Sequence, residues 1–320
     1  MKYDLTIIGG GPAGVAAGVY ASRKKLKTLF ITENFLGQSA VSEGIENWIG
    51  TIKVGGAELA KQLENHLRAY AGEMVEIKEG PRVSKITKNG AEFSVTLNDK
   101  ESTTVETKTI LIATGSRRRK LEIPGAKEFD NKGLTYCATC DGPVFSGQDV
   151  VVVGGGNAAF ESAAQLAAYC KSVSILNRGD IFRADEVTVE KVLSKPNVRA
   201  IKNAIPHSVK GDKFVTSFSY RGIPQNEKGE NIPGRTEEII ELPVTGIFVE
   251  IGLLPNTDFS KDVVELDAIG KIIVDPKTQM SKTVGIWAAG DCTDGLYHQN
   301  NIAAGDAVKA LEDIYNHLHA

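Results

Sequence analysis

Apolar residues along this chain come in short unbroken runs separated by glycine-rich turns. Residues 5–8 (Leu-Thr-Ile-Ile) lead into such a turn, then an alanine-rich stretch with helical spacing at 15–22, then a second run at 28–31. Short continuous runs of this kind predict strands buried on both faces, as in a parallel sheet. The same order returns at 150–153, 160–169 and 172–176. Gly9 and Gly154 open the two turns, 145 positions apart, and Gly11 and Gly156 hold matching places. Each unit then enters an antiparallel patch, 82–86 and 92–97 around Asn89-Gly90, and 208–210 and 214–220 around Gly211-Asp212. Each closes on an apolar strand, at 109–113 and 246–251. The chain repeats one plan, which predicts two domains of the same design.

The first half is resumed late. Residues 285–291 read as a strand ending in Gly290-Asp291, and 302–318 have helical periodicity. The predicted class is therefore α/β, with two Rossmann-like, three-layer ββα domains, the second inserted in the first. The expected boundaries are 1–116 with 247–320 for one domain and 117–246 for the other. Arg117-Arg118-Arg119-Lys120 and Pro243-Val244-Thr245-Gly246 read as linkers, the basic run as a solvated hinge.

Bulk properties narrow the function classes. At 320 residues, 42% hydrophobic and 24% charged, the chain has the composition of a globular two-domain protein. A net charge of −3 offers no electrostatic basis for binding nucleic acid or an anionic membrane. No apolar run approaches the roughly 20 residues of a membrane helix. Four cysteines are too few for a secreted disulfide scaffold in a chain this long, so a reducing cytoplasm is expected. There a Cys-x-x-Cys pair is catalytic, redox or metal-binding.

Candidate chemistry lies at three places. The turns Gly9-Gly10-Gly11-Pro12-Ala13-Gly14 and Gly154-Gly155-Gly156-Asn157-Ala158-Ala159 each sit between a predicted strand and helix. In such a turn the first glycine permits the bend, the second lets backbone amides approach a pyrophosphate, and the third lets helix and strand pack closely. Nineteen residues past Gly14 stands Glu33, and nineteen past Ala159 stands Arg178. A carboxylate there accepts ribose hydroxyls, whereas a guanidinium pairs with a 2′-phosphate. The expectation is FAD in the first domain and NADPH in the second, with Arg183 as a further guanidinium. The third place is Cys137-Ala138-Thr139-Cys140-Asp141. Two thiols at this spacing close a small disulfide ring and exchange with a substrate disulfide, and Asp141 can carry the proton. Zinc would need two further ligands, and Cys170 and Cys292 stand singly and read as packed thiols.

In this order the motifs resemble low-molecular-weight thioredoxin reductases, and are similar to the flavoprotein portion of alkyl hydroperoxide reductase. The set comprises the first glycine turn, Gly37-Gln38 with Glu46-Asn47-Trp48, Ala113-Thr114-Gly115, the cysteine pair, the second turn, the stretch 252–257, and Gly290-Asp291 with Gln299. The resemblance implies that Gly37, Gln38 and Asn47 belong to a flavin pocket and that Asp291 holds the ribityl-diphosphate region. It places Gln299 and the following helix start against the pyrimidine edge, where a helix N-terminus stabilises a reduced flavin's charge. It further implies that Cys140 faces the flavin, that one domain rotates against the other, and that the protein is a homodimer. The implied reaction passes electrons from NADPH through FAD and the Cys137–Cys140 disulfide to thioredoxin. A peroxiredoxin system is the alternative partner, expected as a separate protein because the chain starts at its first strand. Two departures stand out. Asn177-Arg178-Gly179-Asp180 replaces a His-Arg-Arg stretch, which leaves NADH or a ferredoxin-like donor as alternatives. His298 stands where an arginine is common.

Overall fold

The computed structural model describes residues 2–42, 44, 45, 47–226 and 230–320, without the side chains of Val41, Thr139 and Cys140. The chain divides into two units, Met1–Arg117 with Leu254–Ala320, and Arg118–Leu253.

The first unit begins with β1 (Lys2–Ile8), α1 (Pro12–Arg23), β2 (Thr28–Thr32), α2 (Gly56–Ala71) and β3 (Val75–Glu79). It continues through β4 (Val83–Asn89), β5 (Glu92–Leu97) and β6 (Thr104–Ile112). The strand order is β3-β2-β1-β6-β5-β4. Ile7 is central, pairing in parallel with Phe30 on one side and Leu111 on the other. Leu5, Ile7 and Leu111 face a core that includes Val15, Val19 and Leu67 of the helices. Ile8, Ile31, Ile110 and Ile112 face the opposite core with Ile86 and Phe93. Both faces are covered, which is why these strands read as unbroken apolar runs.

The second unit follows β7 (Ser116–Arg118). It contains β8 (Leu134–Thr135), α3 (Ala138–Asp141), β9 (Asp149–Val153), α4 (Asn157–Leu166) and β10 (Ser172–Leu176). Next come α5 (Glu186–Leu193), β11 (Val198–Ile201), β12 (Ile205–Gly211), β13 (Val215–Gly222), β14 (Glu238–Pro243) and β15 (Gly246–Val249). One sheet is parallel, in the order β11-β10-β9-β15-β8, and β12-β13-β14 form an antiparallel layer.

The repeat explains where the expected boundary fails. In the first unit β6 is one strand: Phe93 of β5 pairs antiparallel with Thr107, while the rest of β6 runs on beside β1. In the second unit the equivalent strand is broken after Pro243, whose ring nitrogen has no hydrogen to donate to a ladder. The stretch 243–246 is therefore a kink inside the second unit rather than a linker, and 247–249 belong beside β9. The return crossing lies at 253/254.

The returning chain contributes β16 (Leu253–Pro255), which pairs with β7, then β17 (Ile286–Ala288) and α6 (Asn300–His319). β17 lies parallel to the end of β6, with Trp287 opposite Leu111. Trp287 is fully buried, and its Nε1–H donates to Asp313 of α6 at 2.9 Å. The basic stretch is more tied down than a solvated hinge. Arg117 donates to the Asn256 side chain at 3.0 Å, and Arg118 pairs with Glu250 at 2.5 Å. Burial pushes the Glu250 carboxyl up, opposed by Arg118 and by a hydrogen bond from Ser162.

Candidate functional site

The two glycine turns are built alike. Gly9 has φ +121° and Gly154 φ +151°, conformations that L side chains rarely adopt. A Cβ on Gly9 would sit 2.2 Å from the Ala113 carbonyl oxygen, and one on Gly154 would sit 2.2 Å from that of Glu250. Both first glycines are thus wedged beneath the strand that closes each unit. Gly11 and Gly156 differ in kind: a Cβ on either would meet nothing within 4 Å. Each is the extended N-cap of a helix, α1 or α4, with no side chain capping it. Of the first-turn amides, the Ala159 N–H of α4 donates to the Gly156 carbonyl at 3.0 Å; the others are left to an outside acceptor, and the open glycine gives that acceptor room. At the third position Gly14 could not carry a Cβ, which would fall 1.8 Å from the Gly9 carbonyl oxygen. The second copy accommodates Ala159, fully buried.

In the first unit the turn forms one wall of a cavity of about 1050 Å³. Gly9, Gly11, Pro12 and Ala13 line it together with Glu33, Gly37, Gln38, Thr114, Gly115, Gly290 and Asp291. Residues predicted from five separate stretches of sequence therefore converge. Glu33, just beyond β2, accepts from Arg82 Nε at 2.8 Å through Oε2. Thr114 and Gly115 are clipped to the returning chain: Thr114 Oγ1 donates to the Asn256 carbonyl at 2.6 Å, and Asn256 Nδ2 donates to the Thr114 carbonyl at 3.0 Å. Gly290, with φ +77°, lets the starts of α1 and α6 approach, since its Cβ would lie 3.1 Å from Ala303.

A second cavity of about 580 Å³ shares Gln38, Ser39, Asp291 and Asn300 with the first and adds Asn47, His298 and Gln299. Asn47 Nδ2 donates to Gln299 Oε1 at 2.9 Å, Ser39 Oγ to Asn300 Oδ1 at 2.9 Å, and Gln38 Nε2 to Ser116 Oγ at 2.8 Å. The first two bonds hold the segment after Gly37 against the start of α6, whose 20 residues aim a partial positive charge at the cavities, and the third ties it to β7. Glu46 lies outside the described residues. Ser39, Arg82, Asn256 and Asn300 were not singled out from the sequence. Asn256 lies within the 252–257 motif, but the other three are ordinary polar residues whose importance is purely spatial.

In the second unit, Asn177 stands just beyond β10, where the resemblance has the histidine of His-Arg-Arg. It is buried, and its Nδ2 donates to the carbonyls of Gly179 and Ile181 at 3.0 and 2.9 Å. The loop that follows is fastened to the second glycine turn: Arg183 N–H donates to the Gly155 carbonyl at 2.7 Å, and Asp185 N–H to Asn157 Oδ1 at 2.8 Å. Arg178 and Arg183 are exposed beside this turn, and among the described residues neither guanidinium has an ion-pair partner. Ala158 lies in the first turn of α4.

Cys137 immediately precedes α3 and Cys140 lies within it, and Ala138 of that helix packs in the core with Ala159 and Phe160 of α4. Cys137 is disulfide-bonded, while Cys170 and Cys292 are free and buried. The side chain of Cys140 lies outside those described. Thr135 Oγ1 accepts the Cys137 N–H at 3.2 Å and contacts Asp141 Oδ2, so one hydroxyl fixes both the cysteine and the carboxylate. Burial pushes the Cys170 and Cys292 thiols up to about 11. At neutral pH their thiolate fractions are therefore on the order of one in ten thousand. Brief alkylation of the reduced native protein is expected to label residues 137 and 140 and to spare Cys170 and Cys292. Peptide mapping that finds label on either buried thiol would contradict this.

The sequence profile of the family described as pyridine nucleotide-disulphide oxidoreductase matches residues 3–307. The chain is 40% identical over 319 residues to the F subunit of alkyl hydroperoxide reductase from Pseudomonas aeruginosa, covering 99% of this chain and 58% of that protein. It is 37% identical over 316 residues to NADH dehydrogenase of Bacillus subtilis, again covering 99% and 58%. The chain thus spans less than two thirds of the length of these curated relatives. Among solved structures it is similar to thioredoxin reductase of Lactococcus lactis, at 34% identity and TM-score 0.85, covering 99% of both chains. Thioredoxin reductase of T. acidophilum aligns at 33% identity and TM-score 0.82, over 100% of this chain and 99% of that one.

Proposed function

Because the chain belongs to the pyridine nucleotide-disulphide oxidoreductase family, we propose that it is a flavoprotein disulfide reductase acting on a thioredoxin-like protein. The observation that carries the reading is the matched pair of open glycines, Gly11 and Gly156, in a chain whose Cys137 is disulfide-bonded. FAD fits the first unit. The larger cavity combines an open glycine, uncapped helix amides, the Glu33 carboxylate and Asp291. Bound there, it supplies a two-electron carrier between a nicotinamide and a disulfide. Glu33 Oε1, which has no protein partner among the described residues, would accept ribose hydroxyls. The amides at the start of α1 would hold the diphosphate, and the start of α6 would face the flavin's pyrimidine edge.

The pyridine nucleotide would sit on the second glycine turn, its diphosphate on the α4 amides beyond Gly156, Asn157 and Ala158. Overall, NAD(P)H and one proton reduce the Cys137–Cys140 disulfide to a dithiol. One thiolate then attacks the partner's disulfide, and the other displaces it, leaving the partner reduced and the pair oxidised. Asp141, held by Thr135, is placed to take and return the thiol proton. Two chain crossings alone join the units, at 117/118 and 253/254, which suits rotation of one unit during turnover. A homodimer is the expected assembly. Among the described residues no helix is long and apolar enough to cross a membrane.

NADPH is the proposed donor because Arg178 and Arg183 stand exposed by the second turn, with no ion-pair partner among the described residues. Asn177 brings no charge, and a relative named NADH dehydrogenase supports NADH as a second donor. The similarity to the F subunit of alkyl hydroperoxide reductase supports a peroxiredoxin-system partner as the second reading. Anaerobic rapid mixing of the flavin-loaded protein with NADPH and then NADH tests the donor. Bleaching by neither would sink the nicotinamide reading. Replacing Arg178 and Arg183 together by alanine is expected to weaken NADPH about 10- to 100-fold, the worth of one or two charge-assisted hydrogen bonds, and to leave NADH unchanged. Equal losses for both nucleotides would show that the arginines do not read the 2′-phosphate.

A further inference from the structure

His298 lies between two charged groups. Lys271 Nζ is 2.8 Å from its Nε2, and Asp291 Oδ1 is 3.5 Å from its Nδ1. An ammonium has only hydrogens to offer, so at 2.8 Å Nε2 must present its lone pair. The ring proton then belongs on Nδ1, the nitrogen nearer the Asp291 carboxylate. We propose that Lys271 fixes this tautomer of His298, and that the ring acts through Asp291 as a positioning residue of the cofactor cavity. This rests on the flavin reading for the second half only.

The arrangement moves a charge. An arginine at position 298 would carry its own cation at the cavity edge. Here His298 lines the smaller cavity, Asp291 lines both, and Lys271 lines neither. The permanent positive charge is set behind the imidazole, on a lysine that also reaches the Gly295 carbonyl at 3.4 Å. Asp291 is thereby bracketed, with His298 facing Oδ1 and Gln38 Nε2 at 3.5 Å from Oδ2. A carboxylate flanked by a donor on each side is favoured in that orientation, and a lysine one ring away still favours a negative charge in the cavity.

Long-range nitrogen–proton NMR of the histidine-labelled, flavin-loaded protein reads the tautomer directly. The chain has five histidines, and the His298 signal is assigned by its loss in His298→Gln. At neutral pH His298 is expected to be protonated at Nδ1 and bare at Nε2. Lys271→Met should release that tautomer, and Lys271→Arg should retain it. A proton on Nε2 in the native protein, or an unchanged spectrum in Lys271→Met, would overturn the assignment. For the positioning role, Lys271→Met should make the flavin midpoint potential more negative and Lys271→Arg should restore it. His298→Gln should weaken flavin binding by about tenfold. Potential and binding unmoved in both variants would refute that role. A protein that takes up no flavin would remove the cofactor reading and the positioning role with it, while the ring spectrum would still decide the Lys271 contact.

Discussion

Replacing Cys137 by serine is expected to leave a folded flavoprotein that its nucleotide still reduces, and to cut turnover of a protein disulfide by more than about a thousandfold. The local structure gives serine no reason to disturb the fold. The backbone N–H of residue 137 is held by Thr135 Oγ1, and the packing of α3 is carried by Ala138, whose place in the core is untouched. The chemistry, by contrast, has no substitute. A hydroxyl cannot form the disulfide that accepts the electron pair, and it ionises far above a thiol. Cys140→Ser should share the phenotype, because each sulfur is needed to close the ring. Anaerobic stopped-flow with the preferred nucleotide follows the first half, and reduction of thioredoxin follows the second. Turnover within tenfold of the native rate would place the exit of electrons elsewhere. Loss of flavin reduction as well would mean that the substitution had damaged more than the pair.

How much of this was legible in sequence depends on what each residue answers to. The strands at 5–8 and 150–153 were readable because apolar cores cover both faces of the parallel strands in each unit, which forces unbroken apolar runs. The glycine turns were readable because φ and clearance at Gly9 and Gly154 admit no other residue without strain. Pairing between distant segments was not readable. The run from 246 looks the same whether it closes the second unit or reopens the first, and only its register with β9 decides. The strand 238–243 was missed because its apolar residues do not alternate cleanly, Ile239 being exposed beside half-buried Ile240, and its partner β13 is more than ten residues away. Arg117 and Arg118 looked like a solvated run because their partners, Asn256 and Glu250, lie over a hundred positions on. The same holds within the cavities. Gln38, Asn47 and Gln299 were found through motif resemblance, whereas Ser39 and Asn300, bonded to each other at 2.9 Å, carry no local signal.

Gly11→Val and Gly156→Val should separate the two nucleotide sites while leaving the fold alone. Neither glycine has a positive φ, and a Cβ on either would meet no atom within 4 Å beyond its chain neighbours, so both places have room for the root of a side chain. Thermal midpoints are expected to stay within a few degrees of the native protein, as for substitutions away from packed or strained sites. What each valine fills is the space through which a diphosphate would approach the amides of α1 or α4. Excluding that contact should cost cofactor affinity at least about a hundredfold, near 3 kcal/mol. Gly11→Val should purify colourless, and Gly156→Val should purify yellow, be reduced by dithionite, and resist NADPH and NADH. Gly9→Ala is the contrasting control. Its Cβ would stand 2.2 Å from the Ala113 carbonyl oxygen at φ +121°, so it should lose stability along with flavin. If Gly11→Val stays yellow, the first turn does not hold the flavin's diphosphate. If Gly156→Val is bleached by either nucleotide at the native rate, electrons enter somewhere other than the second turn, and a donor such as a ferredoxin becomes the better account.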